Sequence, residues 1–200
     1  MFTAYIFRHG KTELNKQKRL QGHLDSPLIA EGIENAHSIA AKVKGITFDA
    51  GVYSSDLGRA FITAYAVAQD LGDTRPITTD KALREVSFGD LAGQPIAEAE
   101  SRNPGLQRET GLTPPAGESL GDMQRRVVQY ILDLAQEHDG QTALIGTHDC
   151  VINALYAEQA DVDLGPYNGD HYNPHDFVAK LTVEDGKITS FKEHSAPSTQ

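Results

Sequence analysis

Two histidines in this chain each close an apolar run. His9 follows Tyr5-Ile6-Phe7-Arg8 and leads into Gly10-Lys11-Thr12, and His148 follows Leu144-Ile145-Gly146-Thr147. An apolar strand ending in such residues presents them at the carboxyl edge of a sheet, where open α/β folds place their ligands. An imidazole there is a candidate nucleophile. Its ordinary pKa of about 6.5 leaves it largely neutral at neutral pH, and it can carry a phosphoryl group as a phosphoramidate that water later opens. Phosphoryl transfer spreads charge over three equatorial oxygens, so it needs an in-line nucleophile, fixed positive charge and an acid for the leaving oxygen. Arg8 supplies charge beside His9. Arg59 falls in the first turn of a helix read over 56–71, a short step from a strand over 50–54, which brings its guanidinium to the same edge. A guanidinium offers paired donors to phosphate oxygens, and a unit charge about 4 Å from a phosphate charge is worth roughly 4 kcal/mol gross at an effective dielectric of 20, before desolvation. Two guanidiniums and a cationic histidine would replace a magnesium ion, so no metal and no cofactor are expected.

Each residue also has a plainer reading. His9 could be satisfied by backbone partners in a turn, His148 could be a core histidine, and Arg59 could pair with Asp56 on an exposed helix face. What favours function is the company the two histidines keep. Between them stand Ser54-Ser55-Asp56-Leu57-Gly58-Arg59-Ala60, Leu83-Arg84-Glu85-Val86-Ser87-Phe88-Gly89-Asp90 and Pro115-Ala116-Gly117-Glu118-Ser119. These blocks, in this order and with Arg8-His9-Gly10 at their head, resemble the histidine phosphatase superfamily, also called phosphoglycerate mutase-like, over about residues 5–154. The resemblance implies that His9 is transiently phosphorylated, that His148 helps hold the phosphoryl group, and that Glu85 protonates the departing alcohol. The competing reading of Glu85 is a carboxylate paired with adjacent Arg84. Asn15 and the Gln21-Gly22 pair match family positions that contact phosphate and substrate.

Several positions depart from the family pattern. Lys11 stands where many members have Glu or Gln, Asp149-Cys150 replaces a frequent Gly-Gly, and Leu91-Ala92-Gly93 replaces Trp-Glu-Gly. None removes a catalytic group, but substrate preference is left open. Cys150, the single cysteine, is read as a small buried residue at a helix start, against the alternative of a thiol nucleophile. His171 and His175 are four apart, but Pro174 between them argues against a helix and hence against a metal pair.

The elements that must position these groups alternate. Strands are read over 3–7, 50–54, 77–79, 141–147, 176–183 and 187–192, and helices over 30–44, 56–71, 118–138 and 149–159. Ile33, Ala36, Ala40 and Val43 form the inner face of the first helix, and Asp56 is a plausible N-cap for the second. Residues 12–22 are read as a surface loop with one helical turn, and the Gly- and Pro-rich stretch up to Gly117 as a lid over the site. The expected class is α/β: a three-layer α/β/α sandwich with a mostly parallel sheet, an antiparallel C-terminal hairpin and a lid excursion. One domain over 1–195 is expected, with 196–200 a disordered tail.

Composition narrows the partners. With 28 acidic against 18 basic residues the formal charge is −10, which disfavours nucleic acid and anionic membranes. No long apolar segment and no secretory leader is apparent, and a lone cysteine fits a reducing compartment, so a cytoplasmic location is expected. Oligomeric state is left open. The expected function is metal-independent hydrolysis of a small phosphomonoester. The alternatives are a phosphoglycerate mutase-type phosphotransferase and a catalytically silent phospho-ligand-binding module. Glu85 and His148 are only about 60 positions apart, little room for the insertion that mutases resembling this family carry, which favours hydrolysis.

Overall fold

Every residue of the first strand is buried, and the alternation of its side chains between two apolar clusters explains the architecture. In β1 (Phe2–Arg8), Phe2, Ala4 and Ile6 enter one apolar cluster while Tyr5 and Phe7 enter another. A strand buried on both faces needs helices on both. The computed structural model describes residues 1–195, so the expected tail at 196–200 lies outside the described residues. After β1 come α1 (Glu13–Lys16), α2 (Ala30–Lys42), β2 (Gly51–Ser55), α3 (Gly58–Asp70) and β3 (Thr78–Asp80). Then follow α4 (Ile96–Arg102), α5 (Leu120–Glu137), β4 (Thr142–Thr147), α6 (Asp149–Ala160), α7 (Leu164–Asp170), β5 (Val178–Glu184) and β6 (Lys187–Glu193). The sheet order is β3-β2-β4-β1-β5-β6, with β1, β2, β3 and β4 mutually parallel where paired and β5 antiparallel to both its neighbours. This is the expected α/β/α arrangement with its antiparallel hairpin. Helices α2 and α3 pack on the Tyr5–Phe7 face, and α5 and α6 on the other.

The register decides where the chemistry goes. Arg8 pairs with Thr147 across the parallel β1–β4 ladder, so both strands end level and His9 and His148 emerge side by side. The His9 backbone N–H donates to the Thr147 carbonyl at 2.9 Å. The neighbouring β2 runs parallel to β4 and delivers Arg59 from the first turn of α3 to the same edge.

Some local expectations are corrected. Asp56 does not cap α3, because Leu57 holds the N-cap position without a side-chain bond, and Asp56 instead grips Arg84 through paired contacts of 2.6 Å. The cap comes from far away in sequence. The Asp25 carboxylate accepts from the Gly58 and Arg59 backbone N–H groups at 3.0 and 3.3 Å. Asp25→Ala should therefore cost about 1 kcal/mol, the usual worth of a cap, and lower the melting temperature by about 2–4 °C in a thermal scan. Ile33 is exposed and Gly32 and Ile39 take the inner positions of α2. The stretch over 12–22 is not a surface loop throughout, since Thr12, Leu20, Gln21 and Gly22 are buried. Two short helices, α4 and α7, were not expected. Among the described residues no helix is long and apolar enough to cross a membrane.

Candidate active site

A cavity of about 140 Å³ opens at this edge, and all the predicted site residues except His148 line it: Arg8, His9, Asn15, Gln21, Gly22, Arg59 and Glu85. Its scale suits a small phosphomonoester, since a void of about 150 Å³ holds one benzene.

His9 is buried and tightly held. Its Nδ1 lies 2.8 Å from the Gly10 carbonyl, which accepts only, so Nδ1 carries the proton and Nε2 keeps its lone pair. Arg59 Nε stands 3.3 Å from that Nε2. Gly10 is required here on steric grounds, because a Cβ at this position would lie 2.2 Å from the Gly32 carbonyl oxygen. The Gly10 N–H donates to Thr63 Oγ1 at 3.0 Å, and Thr63 in turn donates to the Arg59 carbonyl at 2.7 Å, tying the turn after β1 to α3.

Arg59 is only 1% exposed, which rules out the helix-surface reading. Its Nη1 and Nη2 donate to the carbonyls of Leu24 and Gly22 at 3.0 and 2.7 Å, fixing the plane of the fork. Burial pulls its pKa down to about 10, still charged at neutral pH. Arg8 is buried too, ion-paired to Asp149 at 3.4 Å and bonded to the Asn173 carbonyl, with Nε lacking a partner among the described residues.

His148 stands behind the cavity wall, its ring centroid 5.1 Å from that of His9. Its Nε2 lies 2.9 Å from Ser55 Oγ, and Nδ1 is buried without a partner among the described residues. Both imidazoles are pushed well below the ordinary histidine range, first by burial and then by Arg59. Against the cationic histidine expected from the sequence, burial first and the Arg59 charge second favour the neutral form of both rings.

Glu85 does not pair with Arg84, which Asp56 has taken. It is buried, with Oε1 accepting from the Val86 N–H at 2.9 Å and Oε2 from the Cys150 N–H at 3.4 Å. Burial, then the neighbouring Asp149 carboxylate, raise its pKa and favour the protonated form. Cys150 sits in the same wall with its thiol pushed well above the ordinary range by burial, so it is no thiolate nucleophile. Asn15 and Gln21 are organised by Thr12, whose hydroxyl lies 2.9 and 3.0 Å from their side-chain oxygens. Gly22 adopts φ +52°, and its main role in the wall is the carbonyl that anchors Arg59. Among the described residues no cluster of three or more His, Cys, Asp or Glu is placed to hold a metal ion.

The sequence profile of the histidine phosphatase superfamily, branch 1, matches residues 4–191. This chain belongs to the histidine phosphatase superfamily. A probable phosphoglycerate mutase, GpmB, of Yersinia pestis is 35% identical over 162 residues, covering 78% of this chain and 73% of the relative. Phosphoglycerate mutase-like protein 4 of Arabidopsis thaliana is 33% identical over 157 residues, 76% of this chain and 68% of the relative. The solved structure of Bacillus stearothermophilus YhfR superposes with a TM-score of 0.85 at 30% identity, covering 99% of this chain and 96% of the other. A phosphoserine phosphatase mutant of Entamoeba histolytica, solved with phosphoserine, gives 0.81 at 25% identity, covering 96% and 97%.

Three contributors to this superfamily member's site escaped the sequence reading. Tyr172 lines the cavity, Asp149 pairs with Arg8, and His175 is buried with its ring centroid 5.6 Å from that of His9. In the sequence the His171–His175 spacing suggests only a metal pair, which Pro174 argues against. In the structure the two part company, since His171 stacks on Tyr167 at 3.8 Å instead. Helix α7 has already ended at Asp170, so the two histidines share no helix face, and His175 reaches the His9 carbonyl oxygen instead.

Proposed function

We propose that this chain hydrolyses a small phosphomonoester through a phosphohistidine on His9 Nε2. The observation that carries the reading is the His9 ring itself: Nδ1 is committed to Gly10, and Nε2 is presented to the Arg59 guanidinium inside the cavity that Glu85 also lines. In the first step Nε2 attacks phosphorus in line while the bond to the alcohol oxygen breaks, and Glu85 passes its proton to that oxygen. In the second, water attacks phosphorus, Glu85 takes its proton back, and His9 is released neutral. Arg8 and Arg59 face the spreading negative charge, with the unpartnered Arg8 Nε as a further donor for a phosphoryl oxygen, while His148 backs the His9 ring from behind the wall, 5.1 Å between centroids. The Asn15 carbonyl oxygen is occupied by Thr12, which leaves its amide nitrogen as the donor toward phosphate. Two buried guanidiniums do the charge work that many phosphotransfer sites assign to magnesium, and we read the reaction as independent of metal.

Incubation with para-nitrophenyl phosphate in excess EDTA tests this directly. Sustained phosphate release is expected; activity restored only by a divalent cation would overturn the metal-independent mechanism. The names of the Yersinia and Arabidopsis relatives favour a second reading, phosphoglycerate mutase-type transfer. Supplying 3-phosphoglycerate with 2,3-bisphosphoglycerate separates the two, the 2-phosphate isomer marking transfer and inorganic phosphate marking hydrolysis. Release of neither would leave a phospho-ligand-binding module.

A further inference from the structure

The segment between α7 and β5 touches the end of β1 and the residue after it three times. Tyr172 lays its ring over Arg8, 4.2 Å from guanidinium carbon to ring centroid. The Asn173 carbonyl accepts from Arg8 Nη1, while the Asn173 backbone N–H and side-chain amide donate to Asp149 Oδ1 at 3.1 and 2.9 Å. His175 places Nδ1 3.0 Å from the His9 carbonyl oxygen and Nε2 3.0 Å from the Tyr172 hydroxyl.

Donor counting fixes the proton on His175. A carbonyl can only accept, so Nδ1 must carry hydrogen, Nε2 of the neutral ring must accept, and the Tyr172 hydroxyl must donate. One tautomer satisfies both neighbours. Burial, with Arg8 and Lys11 nearby and the His9 bond and Glu31 opposing them, brings the His175 pKa down to about 4, so the ring is neutral at neutral pH. The His9 peptide is then pinned at both ends, its N–H by the Thr147 carbonyl at 2.9 Å and its C=O by His175. With the backbone clamped and Nδ1 bonded to Gly10, the imidazole cannot swing away from the line of attack.

We infer that His175 is a positioning residue for phosphoryl transfer: its Nδ1–H, aligned by the Tyr172 hydroxyl, holds the His9 carbonyl and with it the direction of Nε2. This rests on the phosphatase reading. His175 does not line the cavity, so its effect falls on the rate at which His9 is phosphorylated and not on substrate binding.

The test uses the full chain with para-nitrophenyl phosphate, measuring phosphoenzyme formation by rapid quench, KM, and the melting temperature. His175→Leu should slow phosphorylation about 10- to 100-fold, by analogy with the loss of a residue that orients a metal-ligating histidine, with KM nearly unchanged. His175→Asn keeps an amide donor for the His9 carbonyl and should recover most of the rate. Tyr172→Phe removes only a hydroxyl from an exposed ring and should slow the same step about threefold, the rate equivalent of one weak hydrogen bond. A Leu variant at the parent rate, an Asn variant as slow as Leu, or a loss confined to KM would each overturn the inference. If the Leu variant fails to fold, parent-like phosphorylation by Tyr172→Phe does the same. A parent protein that releases no phosphate defeats the phosphatase reading and this inference together, whereas an active parent with an unimpaired Leu variant defeats this inference alone.

Discussion

His9→Ala should abolish turnover. No other group in the cavity can replace the missing Nε2: the Cys150 thiol is held protonated by burial, and His148 stands outside the lining. Where a nucleophile works as one unit with its partners, its loss costs on the order of 10⁶ in kcat, which here means release indistinguishable from the uncatalysed rate. Brief exposure of the parent to a phosphorylated substrate should also leave an acid-labile, base-stable label on His9 that the variant does not acquire. Mass spectrometry of the trapped protein reads this. Label on another residue in the parent would refute the assignment even if His9→Ala were inactive. The variant should still fold, because the clamps around the turn run through backbone atoms: the His9 N–H to Thr147 and the Gly10 N–H to Thr63.

Glu85→Gln should have the next largest effect, and its size should depend on the leaving group. An alkyl alcohol cannot depart without a proton, so turnover of an alkyl phosphomonoester should fall about 10²- to 10⁴-fold. The para-nitrophenolate ion needs little help and should be released at a rate much nearer the parent's. The pH profile gives an independent check. Glu85 acts while protonated, and burial followed by Asp149 raises its pKa. Activity on alkyl substrates should therefore hold at acidic pH and fall as pH rises through that raised pKa, a limb absent from the Gln variant. His9 acts while neutral, and its lowered pKa keeps it neutral well into the acid range, so it contributes no competing acid limb near neutrality. Equal losses on both substrates would exclude Glu85 as the proton donor.

Much of this was legible in the primary structure because the groups sit at the ends of apolar runs, and a parallel sheet aligns such ends. The runs at Ile6–Phe7 and Leu144–Ile145 are 0% exposed and pair in register. The helix through Leu120, Met123, Val127, Ile131 and Leu134 could be read from its period, and each of those residues is buried. What sequence could not show were partners chosen across the fold. Asp56 has good N-cap chemistry, but Arg84 outcompeted the helix for it and Asp25 filled the place. Glu118 looked like a helix start; its carboxylate instead receives the Ser87 N–H and Arg126 ahead of the Ser119 cap. Helix α7 was hidden because Gly165, Pro166 and Gly169 fall within seven residues, and it persists through packing and the Asp163 cap. His175 was missed because a histidine pair four apart suggests a ligand set, while its actual use depends on a carbonyl that only the folded chain brings near.

The order of strands in the sheet also bears on how the molecule comes into being. β1, which leads into His9, lies between β4 and β5, and both of these follow it by more than 130 residues in the chain. Without them β1 has unpaired edges on both sides, and the cavity lacks the wall that holds Asp149 and Cys150. Assembly that depends on such distant contacts is slow and passes through sticky intermediates. A chain cut before β4 would therefore lack both ladder partners of β1 and, with them, the strand that leads into His148.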